Sequence, residues 1–187
     1  MRAITTDAFI GQRVSIERTL VCAMAGQFPV LARGADDALV VVCRVGAGHY
    51  GLPGTLATTC SRDGGRTWSD PRELAPRGHD VRNPALAVVG ARWVIAYWQA
   101  GVRCYRDEQW VLPETTRGAD DTFVVTSDDR GQTWSAPRAV RSATLAWISP
   151  YGRIVALADG TLVMAGYGPR LGGAPGRFDA VLLRSRD

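Results

Sequence analysis

The stretch SRDGGRTWSD, residues 61–70, is a polar, glycine-rich turn that closes on a tryptophan, and it returns as SDDRGQTW at 127–134. Ser61, Asp63, Gly65, Thr67 and Trp68 match Ser127, Asp129, Gly131, Thr133 and Trp134 position by position, and Ser185 and Asp187 begin the pattern a third time. The copies start at 61, 127 and 185, spacings of 66 and 58 residues, which is the period of supersecondary units repeated as a solenoid or propeller. Each residue type has a job in such a turn: Ser and Asp bond exposed backbone amides, Gly accepts a positive φ, and Trp wedges against a neighbouring sheet.

Strand signals flank the turns. FPVLAR (28–33), ALVVVCR (38–44) and TLATTCS (55–61) are short, apolar or β-branched, and bounded by Gly, Pro and Asp. A short fourth strand is expected at 72–74, and the unit recurs at 84–89, 92–99, 122–127 and 138–140, then at 153–157, 161–167 and 179–185. Helical periodicity is absent, so the chain reads as all-β. Four-stranded antiparallel units at this period are propeller blades. One domain over 1–187 is expected, with blade units at about 27–75, 82–140 and 149–187 and residues 1–26 left to complete a blade.

Composition narrows the classes. A chain of 187 residues, 46% hydrophobic with 21 Gly and 10 Pro, describes a turn-rich globular protein with one substantial core. The 22 basic residues are all Arg and are scattered, so a net charge of +4 does not build a nucleic-acid groove, and no nucleic-acid partner is expected. Cys22, Cys43, Cys60 and Cys104 form no Cys-x-x-Cys pair, which argues against a metal site; no cofactor is expected either. With Cys43 facing about residue 55, Cys60 falls roughly 16 Å away, too far for a bridge. No secretory signal or apolar run of ~20 residues is present, so no membrane partner is expected and the chain reads as cytoplasmic, with secretion left open.

The two full turns resemble the Asp-box, the bacterial neuraminidase repeat of the sialidase superfamily. That resemblance implies a sialidase-like propeller, usually of six blades, with its Asp-boxes on the face away from the active site. Three units are about half such a ring, which implies an N-terminal fragment lacking its C-terminal half, inactive alone, or a chain that closes the ring by self-association.

Strand direction places the other face at the starts of the first strand of each unit and at the loops after the second. Relatives begin blade one with Phe-Arg-Ile-Pro, whose Arg holds the substrate carboxylate; here Gly26-Gln27-Phe28-Pro29 stands there, and Gln27 carries no charge. Val81-Arg82-Asn83-Pro84 supplies an Arg-x-Pro in the second unit, so Arg82, Asn83 and Asp80 are candidate substrate contacts, with Tyr151 and Arg153 in the third. His49, in a first-unit loop without carboxylates, and Asp107 and Glu108, in the long loop 100–121, are candidates for proton transfer. Arg103, Tyr105, Arg106 and Trp110 in that loop, and Tyr167 after it, are suited to stacking on a sugar, although the same residues also fit a solvated loop. Two classes stay open: a sialidase-like exo-glycosidase acting on sialic acid or a related sugar, and a non-catalytic propeller binding glycan or protein.

Overall fold

The computed structural model describes residues 3–9, 12–24, 26–75, 77–101, 104–107, 109–110, 120–174 and 176–186. Fifteen strands and no helix occur among them: β1 (Ala3–Phe9), β2 (Gln12–Arg18), β3 (Gln27–Arg33), β4 (Leu39–Val45), β5 (Thr55–Ser61), β6 (Arg72–Glu73), β7 (Asp80–Val89), β8 (Arg92–Ala100), β9 (Tyr105–Arg106), β10 (Gln109–Trp110), β11 (Asp120–Ser127), β12 (Arg138–Val140), β13 (Ser149–Ala156), β14 (Leu162–Pro169) and β15 (Phe178–Ser185). The first sheet is ordered β3-β4-β5-β6 and antiparallel throughout. The strands β7-β8-β11-β12 repeat that order, and β13-β14-β15 begin it again. The second and third sheets are joined where β7 and β13 run parallel, through Gly152 opposite Ala85 and Arg153 opposite Leu86. Parallel first strands side by side are what blades arranged around an axis require, so the molecule is an all-β partial propeller. The hairpins β1–β2 and β9–β10 form sheets of their own.

Residue alternation explains the stacking. In RWVIAYWQA, Trp93, Ile95 and Tyr97 point one way and pack with Val30, Val40, Val42 and Leu56 of the first sheet. Val94 and Ala96 point the other way, onto Ile154 and Met164 of the third. Both faces of β8 are therefore buried, which is why its sequence is almost continuously apolar. The outer face of the third sheet has no such cover: Leu182 is 69% exposed and Val155 52%, and β15 alternates exposed and half-buried residues along its length.

The first strands start earlier than sequence predicts, at 80 instead of 84 and at 149 instead of 153. Sequence reading begins these strands at Pro84 and Arg153, whereas the chain pairs earlier and passes through bulges, between Arg82 and Ala85 and between Pro150 and Ile154, with a third between Gln27 and Val30. The β4–β5 register also differs: Cys43 faces Ala57, and Cys60 faces Val40. Cys60 is then three residues along from Cys43, roughly 10 Å, and the two remain separate thiols.

The repeated turns share one hydrogen-bond pattern. Ser61 Oγ donates to Asp63 Oδ1 at 2.8 Å and accepts from Gly65 N at 2.8 Å; Thr67 Oγ1 donates to Asp63 Oδ2 at 2.7 Å. Ser127, Asp129, Gly131 and Thr133 repeat these bonds. Gly131 has φ 79° and packs so tightly that a Cβ there would meet the Trp93 ring at 2.5 Å. Bonds from the Thr67 and Thr133 hydroxyls, then from their amides, hold both Asp carboxyls well below the usual carboxylate range. A depressed folded value means stability that is present above the unfolded value of ~4 and is lost as pH falls through the folded one. An Asp63→Asn/Asp129→Asn double variant is therefore expected to be less stable than the parent at neutral pH and to show a flatter loss of stability below about pH 4. Urea denaturation at several pH values checks this; parallel curves for the two proteins contradict it.

Both turn tryptophans are half-buried. Trp134 packs against the core shared by the first two sheets, with its ring centroid 6.5 Å from that of Trp93, while Trp68 covers the outer face of the first sheet and donates Nε1 to Gly65 O at 3.1 Å. Trp134→Ala is expected to cost about 2 kcal/mol, less than a fully buried aromatic, and an unchanged urea midpoint contradicts the packing role.

Candidate functional site

The bulges on β3 and β7 set the site, because the residue before each proline takes a positive φ, 51° at Phe28 and 52° at Asn83. At β7 the turned backbone faces Arg82 toward the first-sheet loop 46–54 and Asn83 toward the third sheet, where its Nδ2 donates to Ser149 Oγ at 2.7 Å. Arg82, Asn83, His49, Tyr50, Trp98, Trp110, Trp147, Ser149 and Tyr167 enclose a cavity of about 80 Å³. That is enough room for a carboxylate.

Beneath the cavity lies a buried charge network. Arg44 and Asp80 have fully buried side chains, with Arg44 Nη1 at 2.5 Å from Asp80 Oδ1. Arg44 spends its other donors on backbone: Nε on Gly48 O at 2.9 Å, Nη2 on Gly51 O at 3.0 Å and Nη1 on Val81 O at 2.5 Å. Gly54 makes room for it, since a Cβ there would lie 2.1 Å from Arg44 Nη2. Tyr105 Oη donates to Asp80 Oδ2 and accepts from Gly51 N at 3.2 Å. Burial, then the bond to Asp80 and its charge, pushes the Tyr105 phenol well up, so it stays a donor. Burial lowers the Arg44 value, and the Asp80 carboxylate opposes that.

Arg82 shares the same carboxylate, with Nε 3.3 Å from Asp80 Oδ2, an ion contact whose alignment falls short of a hydrogen bond. Two guanidiniums thus divide one negative charge, leaving an excess of positive charge under the cavity. Arg82 is held by rings more than by bonds. Its guanidinium carbon lies 4.2 Å from the Tyr50 ring centroid, 4.3 Å from Trp98 and 5.3 Å from Trp110, and Nη1 donates one long bond of 3.4 Å to His49 O. Trp98 Nε1 is buried with no protein acceptor among the described residues. A lightly bonded cation and an unused N–H donor together fit an anionic, oxygen-rich ligand.

The structure brings His49, Arg82 and Asn83 to the cavity and sets Asp80 below it. His49 sits in an exposed loop, stacked on Tyr50 at 4.5 Å and edge-on to Phe28 at 5.0 Å. Asp107 is exposed at φ 49° in the β9–β10 turn and does not line the cavity. Tyr151 and Arg153 are exposed on β13, also outside the lining. Glu108, Arg103 and Asp187 lie outside the described residues. Sequence reading passed over Arg44, Tyr50, Trp98, Trp147 and Ser149. For Arg44 a signal existed, because an arginine closing the apolar run ALVVVCR must have a partner if the strand is buried.

Comparison with known proteins adds the fold. No family model matches the chain, and no curated protein does. Solved structures do. The microbial sialidase Hz136 from a Hadza source superimposes with a TM-score of 0.71 at 21% identity, over 88% of this chain and 36% of its own. Trypanosoma rangeli sialidase in complex with sialic acid gives 0.64 at 15% identity, over 99% and 32%. A protein of unknown function from Dyadobacter fermentans gives 0.65 at 17% identity, over 87% and 52%. The chain has a sialidase-like fold, and it spans about a third of the length of the two sialidases.

Proposed function

We propose that the chain is part of a sialidase-like glycoside hydrolase acting on sialic acid or a related sugar acid, in which these three blades supply the carboxylate subsite. The observation that carries the reading is Arg82: nearly buried, stacked among three aromatic rings, and sharing Asp80 with a second guanidinium that also holds three backbone carbonyls. Arg44 and Tyr105 fix Asp80, Asp80 and the rings fix Arg82, and Arg82 takes the ligand carboxylate, with Trp98 Nε1 and the Asn83–Ser149 pair facing ligand oxygens. Asp80, tied to two guanidiniums, acts as a positioning group.

The turns at 61–68 and 127–134 act as Asp-boxes and pin the sheets. Further blades cover the exposed face of β13–β15 and supply the nucleophile, so the chain alone binds without hydrolysing. Support for a longer ring comes from the uncovered apolar sheet and from the third of the sialidases' length that is matched. A non-catalytic glycan- or protein-binding propeller is the second reading, favoured by the absence of any carboxylate in the cavity lining among the described residues.

Saturation-transfer NMR with N-acetylneuraminic acid tests the proposal. Signal is expected for the parent chain and a loss of roughly 30-fold or more in affinity for Arg82→Met, with Arg153→Ala unchanged. Equal binding by the parent and Arg82→Met rules out this site. Release of a fluorogenic aglycone by the chain alone contradicts the assignment of the nucleophile to further blades.

A further inference from the structure

Cys43 points away from Arg44, onto the outer face of the first sheet, in a cluster with Val41, Val45 and Ala57. Val21, Cys22 and Trp68 pack over that cluster. The Cys22 side chain therefore packs in the same cluster as Cys43. Gly26 closes over the pair: a Cβ there would lie 3.7 Å from Cys22 Cβ and 3.8 Å from Cys43 Sγ. The Gly46 amide donates to Met24 O at 3.3 Å, so this segment is already docked on the end of β4. The two thiols differ in access, Cys22 being half-buried and Cys43 only 3% exposed.

We propose that Cys22 and Cys43 are a covalent modification site, forming an intramolecular disulfide by exchange with a small-molecule disulfide such as oxidised glutathione. The Cys22 thiolate attacks one sulfur of the reagent, its S–S bond breaks, and one glutathione thiolate leaves. Cys43 then gives up its proton to solvent and attacks Cys22 Sγ, releasing the second glutathione; two protein thiols are oxidised and one disulfide is reduced to two thiols. Burial, and then the neighbouring Cys22, pushes the Cys43 thiol up to about 12, which makes Cys22 the attacking group and Cys43 the resolving one. The bond closes residues 22–43 into a loop that contains β3, and with it Phe28, whose ring meets His49 beside the cavity. Oxidation therefore ties the segment that leads into β3 covalently to β4, whatever ligand the site takes.

Non-reducing peptide mapping by mass spectrometry after exposure to oxidised glutathione at about pH 8, where thiolates form, tests the proposal. The expected product is a Cys22–Cys43 cross-linked peptide two hydrogens lighter than its parts, while Cys60, beside Ser69 instead of a thiol, acquires only glutathione. Cys43→Ser is expected to accumulate glutathione on Cys22, which shows that Cys22 attacks first even if Cys22→Ser fails to fold. Glutathione retained on Cys22 in the parent protein, or both thiols remaining open to alkylation, overturns the proposal.

Discussion

Asp80→Asn is expected to cost about 3–5 kcal/mol of folding stability, the usual range for removing one partner of a buried ion pair. The side chain is fully buried between Arg44 and Arg82, so the neutral amide leaves two guanidiniums facing each other with no counter-charge. Tyr105 also loses its charged acceptor. Most of the cost is the stranded charge and not the value of the pair itself. Arg44→Met/Asp80→Leu, which removes both charges of the inner pair, is accordingly expected to lose less than Asp80→Asn. Urea denaturation measures both; guanidinium is unsuitable because it screens charge. A loss under 1 kcal/mol for Asp80→Asn means that water reaches the network.

Gly54→Ala is expected to cost a comparable ~3 kcal/mol, by overpacking. The added methyl would fall 2.1 Å from Arg44 Nη2 and 2.2 Å from its guanidinium carbon, so the side chain must leave its plane. Displacement breaks the bonds to Gly51 O and Val81 O together and tilts Asp80, and through Asp80 it loosens Arg82. Ligand affinity should fall along with stability. Gly48→Ala, in the same loop but with nothing within 4 Å of its Cβ position, is the control and should be nearly neutral. If the two variants melt together, the close approach at Gly54 is not what holds Arg44.

The turns were legible in the sequence because the side-chain bonds that shape them are local: Ser61, Asp63, Gly65 and Thr67 bond one another. The strands followed from alternation and from Gly and Pro punctuation. Arg82 and Asn83 stood out as polar residues at a strand start. The network beneath them did not, because Arg44 and Asp80 are 36 residues apart and each looks ordinary alone. Trp98 and Trp147 are core, yet their edges also form the cavity. Charge drew attention to Asp107, which the β9–β10 turn leaves exposed. The Cys22–Cys43 contact was hidden for the same reason as Arg44–Asp80: the chain between the two residues folds back, and only the register of β3 on β4 brings them together.

The central claim is that Arg82 and its charge network recognise a carboxylate, and comparing N-acetylneuraminic acid with its methyl ester by isothermal titration of the unmodified protein at low ionic strength tests it most directly. The two ligands differ by one charge and share every hydroxyl. The acid is expected to bind, with affinity at least tenfold above the ester, a difference of about 1.4 kcal/mol, and the gap should narrow as salt is added. Equal affinities for acid and ester, or binding of neither, contradict the account.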